Sequence, residues 1–93
     1  MIRLSGRLIC QTHAQARAVM MALPDHIRLT RAEPGCLSFD VALSDNPLIW
    51  NVSEVFADRA AFEAHQARIA ASDWGAQTAG IPRDYEITDE SAQ

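Results

Sequence analysis

A turn of Asp-Asn-Pro between two apolar runs constrains the fold of this chain more than any other feature. Residues 36–44 (CLSFDVALS) place apolar side chains at alternate positions from Leu37 to Leu43, which is typical of a half-buried strand. The turn at 45–47 has the residue types of a tight connection, and a second apolar run follows at 48–56 (LIWNVSEVF). These three segments predict a β-hairpin.

Both faces of the strand at 48–56 are partly apolar. Alternation puts Trp50, Val52, Glu54 and Phe56 on one face, and Ile49, Asn51, Ser53 and Val55 on the other. A strand that is apolar on both faces needs a layer packed against each. Helices can cover one face, but a chain of 93 residues has no further layer to offer. The sequence therefore predicts a homodimer that forms through the sheet faces.

The segment before the hairpin predicts a strand and a helix. Residues 3–10 alternate, and Gly6 within them predicts either a bulge or the close approach of a ligand. Thr12 followed three residues later by glutamine is a capping-box pattern that starts a helix. Pro24 interrupts this helix, and 25–32 is either a second helix or its continuation after a kink. Glu-Pro-Gly at 33–35 predicts the turn into the hairpin.

The segment after the hairpin predicts a second helix and a last strand. Asp58 is the N-cap expected for a helix that ends near Trp74 and Gly75. Residues 81–88 (IPRDYEIT) predict a strand, and 89–93 an acidic, frayed tail.

The order of elements is strand, helix, strand, strand, helix, strand. This order predicts an α+β fold, the ferredoxin-like split β-α-β, in which a four-stranded antiparallel sheet carries helices on one face. We expect a single domain over residues 1–93.

Composition and spacing exclude several classes of function. The net charge is −4 and the eight basic residues, all Arg, are scattered, so a nucleic-acid partner is not expected. No apolar stretch approaches the roughly 20 residues of a membrane span, and the first residues do not resemble a secretory signal. Two cysteines without CxxC spacing predict reduced thiols, and with them a cytoplasmic protein. The three histidines lack ligand spacing, and no Gly-rich phosphate loop appears, so we expect no metal or other cofactor.

Glu54 and His65 are the polar residues that fit a core least well. His65 lies on an apolar helical stripe with Phe62 and Ile69, and it is either a general base or a structural histidine bonded to Glu54. Glu54 shares a sheet face with aromatic residues and either pairs with His65 or Arg68, or transfers a proton itself.

Aromatic residues offer walls for a flat ligand. Trp50, Trp74 and Tyr85 form either such walls or plain core. Asn51 faces away from Glu54, and it contacts either the dimer partner or the substrate.

The run EPGCLSFDV, the hairpin, the run SEVFADRAAFEAH and the later SDW together resemble the antibiotic biosynthesis monooxygenase family. The resemblance implies a dimeric α+β barrel with a pocket between sheet and helices. Characterised members of that family include oxygenases that act on anthrones and quinols without metal or flavin, so the resemblance implies an activity of this kind. Related haem-degrading enzymes carry Asn, Trp and His where this chain has about Gly6, Phe56 and Trp74, so haem degradation is not expected.

The resemblance leads to the predicted function, a cofactor-independent monooxygenase that oxidises a small aromatic quinol or polyphenol with O2. The alternative is a dimer of the same fold that binds a small molecule without catalysis or with different catalysis. The predicted catalytic residues are His65 and Glu54. The predicted substrate-binding residues are Trp50, Asn51, Phe56, Phe62, Trp74 and Tyr85.

Overall fold

A computed structural model describes residues 1–90 of the chain. Its elements, in chain order, are β1 (Ile2–Ile9), α1 (His13–Arg31), β2 (Cys36–Leu43), β3 (Ile49–Phe56), α2 (Arg59–Ala70), α3 (Asp73–Thr78) and β4 (Arg83–Asp89). The strands form one antiparallel sheet in the order β2-β3-β1-β4. This confirms the predicted α+β, ferredoxin-like fold.

The β2–β3 hairpin forms as predicted, and side chains close its turn. Asn46 donates its backbone N–H to Ser44 Oγ (3.1 Å), and its Oδ1 accepts from the N–H of Leu48 (2.9 Å). The alternation predicted for β2 fails at its start, where an irregularity between Cys36 and Ser38 shifts the register and leaves Leu37 57% exposed. A bulge adds one residue to a strand, so side chains before it change face.

Helix α1 is continuous through Pro24. Thr12 caps it by accepting from the N–H of Gln15 (3.1 Å), as predicted. Pro24 lies on the exposed side of the helix, and the helix runs on to Arg31. The buried residues of α1 are Val19, Leu23, His26 and Thr30, a stripe of helical period.

The second predicted helix is divided into α2 and α3. Asp58 caps α2 as predicted, but α2 ends at Ala70. Ser72 Oγ donates to the carbonyl of Ile69 (2.8 Å) and accepts from the N–H of Gly75 (3.1 Å). Because Ser72 satisfies backbone groups on both sides, it ends one helix and caps the next. Trp74 therefore lies in the first turn of α3.

Strand β4 reaches further than predicted, through Asp89. Asp89 is the last residue of β4, and the N–H of Glu90 donates to the carbonyl of Met1 (2.7 Å), the residue before β1. Residues 89 and 90 are therefore bonded to the sheet and are not frayed. The remainder of the predicted frayed tail, residues 91–93, lies outside the described part of the chain.

Gly6 is the site of a close approach, but the approaching group is Tyr85. The two residues are paired across β1 and β4 without a bulge. A Cβ at Gly6 would overlap the carbonyl oxygen of Asp84 and lie 2.8 Å from the Cα of Tyr85. Glycine thus lets β4 and the tyrosine ring pack close to β1.

The helices cover one face of the sheet, and the core lies between this face and the helices. On the other face, β3 carries the predicted mixture of polar and apolar side chains. There Asn51 and Ser53 are exposed, Ile49 is half-buried, and Val55 is only 8% exposed within this single chain. Among residues 1–90, no helix has the length and apolar character needed to cross a membrane.

Candidate functional site

Glu54 is a buried carboxyl group at the centre of the helix-covered face. Its neighbours across the sheet are Leu4 and Phe39, and its Oε1 has no hydrogen-bond partner. Burial, and to a smaller extent the charge of Glu33, raise the pKa of Glu54 to about 7. Near neutral pH this carboxyl group can therefore take up or release a proton.

Glu33 is the residue that orients His65. His65 Nδ1 lies 2.8 Å from Glu33 Oε1, and Arg68 Nε donates to Glu33 Oε2. Arg68 also donates to the buried hydroxyl of Thr30 (2.9 Å). Since a carboxyl paired with arginine is ionised and only accepts, Nδ1 of His65 is the nitrogen that carries hydrogen.

The other ring nitrogen of His65 faces Glu54. His65 Nε2 lies 3.6 Å from Glu54 Oε1, too far for a hydrogen bond, and neither atom has another partner. Burial lowers the pKa of His65, against the opposing effect of Glu33. The imidazole is therefore neutral near pH 7, and a lone pair on Nε2 is available to a proton on Glu54.

This arrangement corrects one expectation about pairing. Glu54 was predicted to bond His65 or to pair with Arg68, whereas both of these residues bond Glu33. The turn after α1 brings Glu33 beside α2, and Gly35, at φ +87°, lets that turn pack against Ala61. Glu33 has polar partners on both oxygens, while Glu54 is left facing the cavity.

A cavity of about 110 Å³ lies between the sheet and the helices beside Glu54. Its lining residues are Leu4, His26, Phe39, Val41, Val52, Glu54, Gln66, Ile69, Trp74, Arg83 and Tyr85. Gln66 and Arg83 are exposed, so the cavity reaches the surface between α2 and β4.

Three of the predicted site residues line this cavity: Glu54, Trp74 and Tyr85. His65 does not line it, because the imidazole is buried between Glu33 and Glu54. A molecule in the cavity would therefore contact Glu54 but not His65.

The other predicted substrate-binding residues lie away from the cavity. Phe56 packs in the core against the rings of His65 (centroids 4.8 Å apart) and Phe62 (5.8 Å). Trp50 is also buried in the core. Asn51 is exposed on the opposite face of the sheet. Aromatic residues in a small domain serve the core first, which explains why aromatic character alone did not identify the walls.

The family model for antibiotic biosynthesis monooxygenases matches residues 12–77. The chain belongs to the antibiotic biosynthesis monooxygenase family. No curated protein matches it. The matched range contains Glu33, Glu54, His65 and Trp74, but not β1 or β4. The contributions of Tyr85 and Arg83 to the cavity therefore come from outside the part that identifies this monooxygenase family.

Solved structures share the fold. A candidate antibiotic biosynthesis monooxygenase from Nitrosomonas europaea is 21% identical with a TM-score of 0.80, and the match covers 99% of this chain and 100% of that one. A second such candidate, from Deinococcus radiodurans, is 18% identical with a TM-score of 0.75, covering 100% and 95%. A conserved protein from Methanosarcina mazei is 18% identical with a TM-score of 0.75, covering 97% and 92%.

Sequence reasoning missed four polar residues around the site of this family member: Glu33, His26, Gln66 and Arg83. His26 had a detectable signal, since it falls on the buried stripe of α1 that begins at Val19. Arg83 had no such signal in the sequence, because its position beside the cavity depends on contacts with the end of α3. It donates to the carbonyls of Thr78 and Ile81 (both 2.8 Å) and so joins β4 to α3.

Tyr85 lines the cavity, and its hydroxyl group is neutral. Burial raises the pKa of Tyr85 to about 12, and the Glu54 charge acts in the same direction while Arg83 opposes both. A neutral phenol can donate a hydrogen bond to an anion formed in the cavity. Among residues 1–90, no group of three or more His, Cys, Asp or Glu side chains is arranged to hold a metal ion.

Proposed function

We propose that this protein is a monooxygenase that oxidises a small phenol or quinol with O2 in the cavity beside Glu54, without a metal or organic cofactor. The observation that supports it most is Glu54 itself, a carboxyl group with a pKa of about 7 in an aromatic-lined cavity. Membership of the antibiotic biosynthesis monooxygenase family supports the same class of reaction.

The first step is proton transfer. Ionised Glu54 takes the hydroxyl proton of the substrate, and neutral His65 can accept it in turn on Nε2. Glu33 and Arg68 hold His65 in the tautomer that leaves this nitrogen free. The hydroxyl of Tyr85 donates to the phenolate and favours it.

The second step uses the substrate as the reductant. The phenolate passes one electron to O2, and the resulting phenoxyl radical and superoxide combine at a ring carbon that carries hydrogen. The peroxide takes the proton held by Glu54. Glu54, ionised again, then removes the carbon-bound proton as the O–O bond breaks, which leaves a ring carbonyl. The departing hydroxide takes this proton from Glu54 and leaves as water. Phenol and O2 are thus converted to a quinone and water, with no external electron donor.

The cavity volume limits the reacting part of the substrate. An apolar cavity of roughly 150 Å³ admits benzene in another protein, so 110 Å³ suits a single ring that fits tightly. We therefore place one phenolic ring beside Glu54.

We also propose a homodimer in the cytoplasm. The family is generally dimeric, and Ile9 pairs directly with Ile49 on the face of the sheet that the helices leave uncovered. Both cysteines are free, as expected in a reducing compartment. Light scattering should give twice the 10.2 kDa of one chain, and a mass of one chain at micromolar concentration would exclude the dimer.

Oxygen uptake with hydroquinones and dihydroxyanthrones in metal-free buffer tests the activity. We expect Glu54→Gln to lower kcat about 100-fold or more, since it keeps the shape but removes the base. Glu63→Gln, the same change at an exposed position on α2, is the matched control and should behave as the wild type. The wild-type rate should rise with pH through about 7, because ionised Glu54 is the base.

Two results would contradict this proposal. Turnover by folded Glu54→Gln at the wild-type rate would remove Glu54 as the base. Binding of these phenols without any oxygen uptake would instead favour the alternative, a small-molecule-binding protein of the same fold.

A further inference from the structure

A second and larger space lies on the other side of the cavity wall. It is a groove of about 880 Å³ between α1 and the α2–α3 segment. Its lining residues are Ala14, Arg17, Ala18, Met21, Ala22, Asp25, His26, Leu29, Arg68, Ala71, Ser72, Asp73, Trp74 and Gln77. The oxidation proposed above makes no use of this groove.

Within the described part of the chain, His26 and Trp74 are the two residues that line both spaces. Their rings are stacked, with centroids 4.2 Å apart and planes 2° from parallel. Both side chains are buried. The stacked pair is therefore the partition between the cavity beside Glu54 and the outer groove.

His26 lowers the stability of the fold compared with an apolar ring in the same partition. Its Nδ1 is buried without a hydrogen-bond partner, and Phe39 packs edge-on against its ring (5.2 Å). Burial lowers the pKa of His26 to about 3, and the positive charges of His65, when that ring is protonated, and of Arg68 and Arg83 act in the same direction. The ring of His26 is therefore neutral. A buried polar atom without a partner lowers stability, whereas a hydroxyl group of a ligand would satisfy it.

We propose that the outer groove is a second subsite of the substrate site, and that the His26–Trp74 pair sets the size of the molecule that can occupy both. The inference rests on the proposed function. The reacting ring lies in the 110 Å³ cavity, and a flat, oxygen-bearing extension of the same molecule displaces the pair and lies in the groove. Small alanine side chains on α1 leave room for a planar group there, and Arg17 and Arg68 can stack on it or donate to its oxygen atoms.

Trp74 can report on this directly. The chain has two tryptophans, and Trp50 lines neither space, so a Trp50→Phe background leaves Trp74 as the single fluorophore. The probes are hydroquinone, with one ring, and 1,8-dihydroxyanthraquinone, with three fused rings and no oxidisable C–H group at the central ring. Titration with each probe in the absence of oxygen, which prevents turnover of hydroquinone, gives a Kd from the quenching of Trp74.

Two substitutions separate the subsites. Ala18→Phe fills the groove and should weaken binding of the three-ring probe about tenfold or more, which is about 1.4 kcal/mol, while leaving hydroquinone unchanged. His26→Ala removes half of the partition and should tighten the three-ring probe relative to hydroquinone. Circular dichroism confirms that each variant is folded, and Ala67→Phe, at an exposed position of α2 outside both spaces, is the control for added bulk.

The inference is overturned if the three-ring probe does not bind, or if Ala18→Phe weakens both probes equally or neither. Failure of the proposed oxidation looks different. In that case the probes bind and respond to Ala18→Phe as expected, but the wild type consumes no oxygen with phenolic substrates of either size.

Discussion

The two buried histidines of this domain differ in the partners of their ring nitrogens. His65 on α2 has a carboxylate on Nδ1 and faces a second carboxyl group through Nε2. His26 on α1, whose ring centroid is 6.1 Å away, has no partner on Nδ1 and lies flat against Trp74. The pKa of each is lowered by burial, but for His65 the charge of Glu33 opposes the effect.

The comparison shows that burial alone does not define the role of a histidine. Glu33 makes His65 part of a polar chain that runs from Arg68 to Glu54 and ends at the cavity. Without such a carboxylate, His26 serves as a flat, neutral ring in a wall. Substitutions at His65 should therefore act through charge and hydrogen bonding, and substitutions at His26 through the shape of the side chain.

The largest effect on stability is expected from His65→Leu. Leucine leaves Glu33 without one of its two donors and removes the group facing Glu54, which should lower the free energy of unfolding by about 3 to 4 kcal/mol. His65→Gln keeps a donor and should lose only about 1 kcal/mol. Urea denaturation measures both. Equal losses for the two variants would mean that shape rather than hydrogen bonding keeps His65 in place.

The ionisation of Glu54 should make stability fall as pH rises. Its folded-state pKa of about 7 exceeds the ordinary value of 4.5, so its contribution is fully present below about pH 4.5 and is lost as the pH rises through 7. The total change is on the order of 3 kcal/mol. Urea denaturation of wild type and Glu54→Gln at pH 5 and pH 8 isolates it. A stability difference between the two proteins that does not change with pH would contradict the raised pKa.

Glu33→Gln tests the polar chain from its other end. The substitution removes the charge that pairs with Arg68, and we expect a loss of stability of about 1 to 2 kcal/mol. It should also lower the pKa of Glu54, because the charge of Glu33 helps to raise it. Carbon-13 NMR titration of the carboxyl groups reads this pKa. No shift in Glu33→Gln would show that the two carboxyl groups do not interact.

The smallest effect, with the opposite sign, is expected from His26→Phe. Phenylalanine keeps a flat ring against Trp74 and removes the unpartnered nitrogen, so stability should stay unchanged or rise by up to about 1 kcal/mol. Thermal unfolding of His26→Phe and of His65→Leu under the same conditions compares the two changes in stability directly. A loss as large as that of His65→Leu would show that His26 has a structural partner and is not simply a wall.

Local signals in the sequence were enough to predict most of the secondary structure. Neighbouring residues form the caps at Thr12 and Asp58, the turn at Gly35 and the hairpin at 45–47. A few adjacent positions in the sequence are therefore enough to predict each of them. The break at Ser72 was missed although it is also local, because the apolar spacing of α2 continues across it. Alternation likewise placed Glu54 on the helix-covered face, beside the cavity.

The pairing of charges was decided only by tertiary structure. Glu33 and His65 are 32 positions apart, and nothing near either residue indicates that the turn before β2 lies against α2. The same holds for the partition, since His26 and Trp74 meet only when α3 packs on α1. The sequence by itself determined most of the side chains that face the core, although Leu37 and Leu43, predicted to be apolar positions of a half-buried strand, are exposed. Which of them touch, and which are left to face a cavity, depends on how the elements pack, because contacts between distant segments follow from the geometry of the whole domain.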